Sequence, residues 1–172
     1  MLLFKGDKMD LRKVSRLSML IAMSVVISII ESYIPFFSNI IPGLKLGLAN
    51  IVVLYILEKY GFREAFYVSV VRVFLVSILI TGLFNIPFFF SLSGATFSVV
   101  AMYLISKLKL FSIVGVSVIG SIFHSIGQVL IGMLLINYNI IYYLPYLLIF
   151  SIPTGIIVGI ITKKLLDYTK NM

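Results

Sequence analysis

The chain alternates long apolar runs with short polar breaks. Six runs, near 14–34, 44–58, 64–84, 86–106, 112–136 and 140–162, come close to the roughly 20 residues that a helix needs to cross a bilayer. The breaks carry turn chemistry. Pro35 and Pro42 flank the first connection, Lys59-Tyr60-Gly61 ends the second run, Asn85-Ile86-Pro87 turns the chain between the third and fourth, and Asn137-Tyr138-Asn139 closes the fifth. Connections this short predict antiparallel neighbours. The expected architecture is an all-α, polytopic integral membrane protein: a tail over 1–13, one domain of six transmembrane helices over 14–162, and a tail over 163–172. No soluble domain, low-complexity tract or internal repeat interrupts it, and the missing repeat counts mildly against transporter folds built from inverted halves.

Composition supports the same class. The 172 residues are 61% hydrophobic and 12% charged, whereas a soluble domain is about 45–50% apolar and about 25% charged. With no cysteine, disulfide scaffolds, zinc-thiolate sites and cysteine nucleophiles are excluded. The net charge of +8 would point to nucleic acid in a soluble chain, but the positions of the charges give it another meaning. Lys5, Lys8, Arg12, Lys13 and Arg16 precede the first run; Lys59 and Arg63 follow the second; Lys107 and Lys109 follow the fourth; Lys163, Lys164 and Lys170 follow the sixth. In an antiparallel bundle these segments share one side, which the positive-inside rule makes the cytoplasm. Both termini are then cytoplasmic in a multi-pass protein of the plasma membrane, and no nucleic-acid partner is expected. Tyrosines at 33, 60, 67, 138, 142, 143 and 168 fall near span ends, as an interfacial belt requires. The basic start resembles a signal peptide, but Glu31, the lack of a small-residue cleavage site and five further runs predict a retained first helix.

Setting aside these loop charges leaves Glu31, Lys45, Arg72 and His124 inside the runs, with the amides Asn50 and Gln128. Ionisable groups at membrane depth are costly and mark candidate sites. Counted along helices at about 1.5 Å per residue, Arg72 lies roughly 13–14 Å from Arg63, His124 about 18 Å and Gln128 about 24 Å from Ser112, and Glu31 about 22 Å from Arg16. All fall between the bilayer centre and its outer half. Lys45 is only about 20 Å of helix from Glu58, so the segment Pro35 to Leu44 is expected to dip back into the protein to reach it. Two readings stay open for each group. Arg72 is either a fixed packing pair for Glu31 or a cation facing a ligand; Lys45 either snorkels to the outer headgroups or lines a pocket. Ser24 and Ser28 share the helix face of Glu31, a polar inner stripe.

In the fifth run Gly120, His124, Gln128 and Gly132 recur every four residues, beside a second stripe of Ser117, Ser121 and Ser125. Gly120 and Gly132 are expected to admit close neighbours, with His124 and Gln128 either packed between them or turned to a ligand. Gly155 and Gly159 form a further helix-packing pair. One His and one deep carboxylate are too few for a metal site, and no cofactor is expected. There is no G-x-x-x-x-G-K-[ST] loop, no paired deep carboxylates and no Ser–His–Asp set at one depth, so an independent enzyme is not expected.

The runs Pro42-Gly43-Leu44-Lys45-Leu46-Gly47-Leu48-Ala49-Asn50, Arg72, Ser91-Leu92-Ser93-Gly94, Gly115 to Gly120 leading into Phe123-His124-Ser125-Ile126-Gly127-Gln128, and Tyr143-Leu144-Pro145 resemble the membrane family labelled either "Gx transporter" or "heptaprenyl diphosphate synthase component I". The resemblance covers about residues 15–165, with Ser125 standing where that family usually carries Asn. The family is similar to the substrate-binding S-components of energy-coupling-factor transporters, six-helix proteins with both termini inside. It implies capture of a small molecule from outside, with a transmembrane T-component and two ATPases as partners. S-components dock through small residues spaced by four on the first helix, for which Ser18 and Ala22, followed by the larger Val26, make a partial match.

Three functions therefore compete. The leading expectation is a substrate-binding membrane subunit of an uptake transporter, with Glu31, Lys45, Asn50, Arg72, His124 and Gln128 around a small anionic or amphipathic metabolite. The second is a membrane accessory component of heptaprenyl diphosphate synthesis or quinone-precursor metabolism, partnered by a soluble prenyl synthase component. The third is a channel or a structural helix bundle.

Overall fold

The computed structural model describes residues 11–33, 45 and 47–170. Among these, six α-helices follow one another: α1 Leu11–Ser32, α2 Asn50–Tyr60, α3 Phe62–Val76, α4 Ile86–Leu108, α5 Ile113–Leu135 and α6 Leu144–Lys170. A π-helical stretch, Ser77–Thr81, prolongs α3, and a 3-10 segment, Tyr138–Tyr143, leads into α6. No strand occurs among the described residues. Helix extends into the ranges expected as tails: α1 begins at Leu11, and α6 runs on through Lys163 and Lys164 to Lys170. Basic residues near a helix end can reach water without breaking the helix. Residues 1–10 and 171–172, and the expected inward dip over Pro35 to Leu44, lie outside the described residues.

Among the described residues five helices are long and apolar enough to cross a membrane: α1, α3 with its π-helical stretch, α4, α5, and α6 with the 3-10 segment before it. The second predicted span behaves differently. Its helix, α2, has 11 residues, about 16 Å of rise against a hydrocarbon core of about 30 Å. Every residue from Val52 to Leu57 is buried, and α2 touches each of the other five helices. A helix apolar all round belongs inside a bundle, and α2 forms the axis of this one. Its start is set by Gly47, whose φ of 87° lies in the left-handed region that glycine adopts without strain. The turn that follows donates Asn50 N–H to Gly47 O at 3.0 Å and Ile51 N–H to Leu48 O at 3.1 Å.

Contacts between helix ends gather the basic residues at one end of the bundle. Lys13 at the start of α1 pairs with Glu64 at the start of α3. Ser106 near the end of α4 donates to Glu58 near the end of α2 at 3.0 Å. Tyr55 of α2 donates to Thr169 at the end of α6 at 3.4 Å. Successive helices thus alternate in direction, as the short connections predict.

Glycines set the spacing on the far side of α2. A Cβ at Gly155 would meet Val118 Cα at 2.6 Å, and one at Gly159 would meet Val114 Cα at 2.6 Å, so α6 lies directly on the α5 backbone. Gly120 rests against Met102 and Ser98 of α4, and Gly132 against Phe90 of α4 and Ile140. The helix α1 packs on α2 and α3, with Ser24, Val25, Ser28 and Glu31 as its buried residues. Ser18 and Ala22, the candidate docking stripe, are exposed on its other face.

Candidate functional site

Because α2 ends partway through the bundle, its N-terminus opens onto a space enclosed by its neighbours. Glu31 and Ser28 reach this space from α1, Arg72, Val73 and Val76 from α3, Ser91 from α4 and His124 from α5, with Lys45, Gly47 and Ala49 on the segment entering α2. The cavity is about 20 Å³, room for about one water. Four of the six residues singled out as binding candidates, Glu31, Lys45, Arg72 and His124, line it. Asn50 and Gln128 stand one layer behind.

Glu31 accepts hydrogen bonds from the N–H of Gly47 and, at 3.3 Å, of Leu48. These donors precede the first turn of α2, so a carboxylate from α1 caps α2 from outside, where its own N-cap residue, Ala49, has no side chain to do so. The alternative of a fixed Glu31–Arg72 ion pair is not what the geometry shows: Glu31 makes no ion-pair contact with Arg72 or with Lys45 among the described residues. Arg72 is 4% exposed, and its Nη1 has no hydrogen-bond partner among the described residues.

Gln128 has a role that residue type alone does not reveal. With its amide oriented to satisfy both ends, it donates to Lys45 O at 3.2 Å, accepts from Lys45 N–H at 3.2 Å and accepts from His124 Nε2 at 3.1 Å. The amide holds the Lys45 backbone as a neighbouring strand would, and leaves the ammonium stem to face the cavity. His124 lies between two glycines: a Cβ at Gly94 would meet its Cε1 at 2.9 Å, and one at Gly47 would meet its Cδ2 at 3.3 Å. Asn50 donates from Nδ2 to Ser98 Oγ at 3.0 Å, tying the first turn of α2 to α4. Asn50 Oδ1 joins Arg72 Nη1 as a polar atom without a partner among the described residues.

The cavity thus gathers two cationic side chains, Lys45 and Arg72, and one carboxylate, Glu31. Two cationic side chains converge on the N-terminal end of a helix whose dipole favours negative charge, and the nearby carboxylate is occupied by backbone donors. Among the described residues no group of three His, Cys, Asp or Glu side chains is placed to hold a metal ion.

A family model for heptaprenyl diphosphate synthase component I matches residues 20–165. The chain belongs to that family. The matched stretch contains all six candidate binding residues and every residue that lines the cavity. No curated protein and no solved structure shows a significant match to it.

This member of the heptaprenyl diphosphate synthase component I family also uses residues that were not singled out as binding candidates. Gly47 and Gly94 shape the slot for His124, Ser91 lines the cavity, and Ser98 holds Asn50. Gly47, Ser91 and Gly94 fall inside the two short runs on which the resemblance rests, which was their one sequence signal. Ser98 had none, since a serine on an apolar helix is common and only α2 beside it gives it a role.

Proposed function

We propose that the chain is a membrane-embedded ligand-binding component of heptaprenyl diphosphate synthesis, which takes the anionic head of an isoprenoid diphosphate at the N-terminus of α2. The observation that carries this reading is Arg72, a buried guanidinium with an unpartnered Nη1, sharing its cavity with Lys45. Leaving a buried charge uncompensated costs about 3–5 kcal/mol, and an anionic ligand offsets that cost. A head larger than one water enters when the flexible Lys45 and Arg72 side chains swing aside to grip it. The bond-making chemistry then belongs to a soluble synthase partner, because this chain has no Asp-rich magnesium motif.

A second reading is favoured by the position of the pocket. Glu31 lies at the far end of α1 from Arg16, and the pocket opens at the end of α2 remote from Lys59, in the half of the bundle opposite the basic residues. With the basic end cytoplasmic and both termini inside the plasma membrane, such a pocket is reached from outside. That suits the substrate-binding subunit of an uptake transporter powered by a T-component and two ATPases.

Titration of the purified protein with inorganic pyrophosphate, farnesyl diphosphate and a panel of soluble anionic metabolites, followed by thermal shift, tests both readings. Stabilisation by the isoprenoid diphosphate, lost in Arg72→Met and Lys45→Met, and a change in rate or chain length when the protein is added to its synthase partner support the first. Stabilisation by a soluble metabolite alone, with uptake into cells that requires Arg72, supports the second. Ligand stabilisation that survives both substitutions overturns the site itself.

A further inference from the structure

At the opposite end of the bundle the structure holds a second cationic recess. The helices α1 and α6 both pack on α2, and by its last two turns lies a groove of about 380 Å³ lined by Arg16, Met19 and Leu20 of α1, Tyr55, Lys59 and Tyr60 of α2, and Thr169 of α6. We infer that this groove holds the phosphate head of a membrane lipid, with Arg16 and Lys59 as the paired cations.

Three observations converge. The first is that Lys59 is held in place: its Nζ donates to Tyr55 Oη at 2.9 Å and lies 5.3 Å from the centre of that ring. Tyr55 Oη donates in turn to Thr169 Oγ1 at 3.4 Å, which fixes the α6 wall of the groove. The second is the polarity gradient. Arg16 and Lys59 sit at the end of the bundle, whereas Met19 and Leu20 lie one turn deeper, and below them α1 exposes Met23 while α6 exposes Ile161 and Leu165. A free phosphate would use only the upper part of such a groove; an amphiphile uses all of it. The third is depth. Arg16 and Lys59 belong to the end where the basic residues collect, which is headgroup level on the leaflet that attracts anionic lipid. The required chemistry is the phosphodiester of an anionic phospholipid, which that leaflet supplies.

Native mass spectrometry and thermal unfolding of the full chain in mild detergent, with each lipid added, test the inference. Phosphatidylglycerol is expected to bind and raise the melting temperature, with zwitterionic phosphatidylcholine at least tenfold weaker. Arg16→Gln with Lys59→Gln is expected to weaken binding about tenfold. Because both residues lie on the surface, the doubly substituted protein keeps its fold, and lipid phosphorus retained per protein after purification gives an independent readout. Arg72→Met, in the other pocket, leaves phosphatidylglycerol binding unchanged, and the prenyl diphosphate is compared in that background, so that only this groove is read. In the Arg72→Met background, equal or weaker binding of the prenyl diphosphate supports the phospholipid assignment, and a preference for the prenyl diphosphate overturns it. Undiminished lipid binding by the doubly substituted protein, or equal competition by inorganic pyrophosphate, overturns the inference.

Discussion

The side chain of Glu31 sits beside two cations and makes an ion pair with neither. Its bonds to the Gly47 and Leu48 N–H groups make it a structural residue, and Glu31→Ala strands both donors. Each stranded buried group costs about 1–3 kcal/mol, so thermal unfolding in detergent should show a clear loss of stability. Arg72 should behave in the opposite way. Replacing a buried, incompletely partnered charge by an apolar side chain of similar length is neutral or stabilising. Arg72→Met is expected to unfold at the same temperature as the parent or higher, while losing ligand stabilisation. A marked fall in its melting temperature without ligand would mean that Arg72 serves packing. Gly94→Ala tests the His124 slot: its Cβ would meet Cε1 of the ring at 2.9 Å, and overpacking of this kind costs about 1–3 kcal/mol. Ligand affinity should fall with stability, because the displaced ring pushes on Gln128 and through it on Lys45.

Among the elements, α2 decides the architecture, and the α5–α6 contact decides how tightly the bundle closes around it. Gly155→Ala places a methyl group 2.6 Å from Val118 Cα, a contact that only separation of the helices relieves. A destabilisation of about 1–3 kcal/mol is expected. Gly115→Ala, on the same α5, is the control. There the added carbon lies 3.4 Å from the Phe111 side chain, an ordinary contact, and the exchange gains up to about 1 kcal/mol of helix propensity. Equal melting temperatures for the two variants would sink the claim that α6 rests on the α5 backbone. Proline also marks an element here: Pro153 sits inside α6 and removes one backbone hydrogen bond. Ser151 and Thr154 donate their hydroxyls to the carbonyls of Leu147 and Phe150, on either side of the Ile149 carbonyl from which the proline withholds a donor.

For the whole molecule, the orientation in the bilayer follows from where the charges collect. The absence of cysteine makes the test direct, since any introduced thiol is the single one. Leu110→Cys, on the connection between α4 and α5 at the basic end, and Tyr138→Cys, at the opposite end, are both well exposed positions. In intact cells a membrane-impermeant maleimide should label Tyr138→Cys and leave Leu110→Cys unmodified until the membrane is opened. The reverse pattern would invert the topology, and with it the side from which the pocket is reached.

Sequence alone determined the class, the positions of the helices and the end at which the basic residues gather, because apolar run length and charge placement are local properties that the bilayer reads directly. It also brought out Glu31, Lys45, Arg72 and His124, since ionisable side chains stand out against an apolar background. Only the tertiary structure decided that α2 is a short buried axis, because an apolar run of 11 residues plus a loop has the same composition as a spanning helix. It decided, too, that Glu31 caps α2 instead of pairing with Arg72, and that Gln128 grips the Lys45 backbone behind the cavity wall. Those roles depend on which donors lie within hydrogen-bonding distance across helices. That distance is set by glycines packing against backbones far away in sequence, and no periodicity along the chain encodes it.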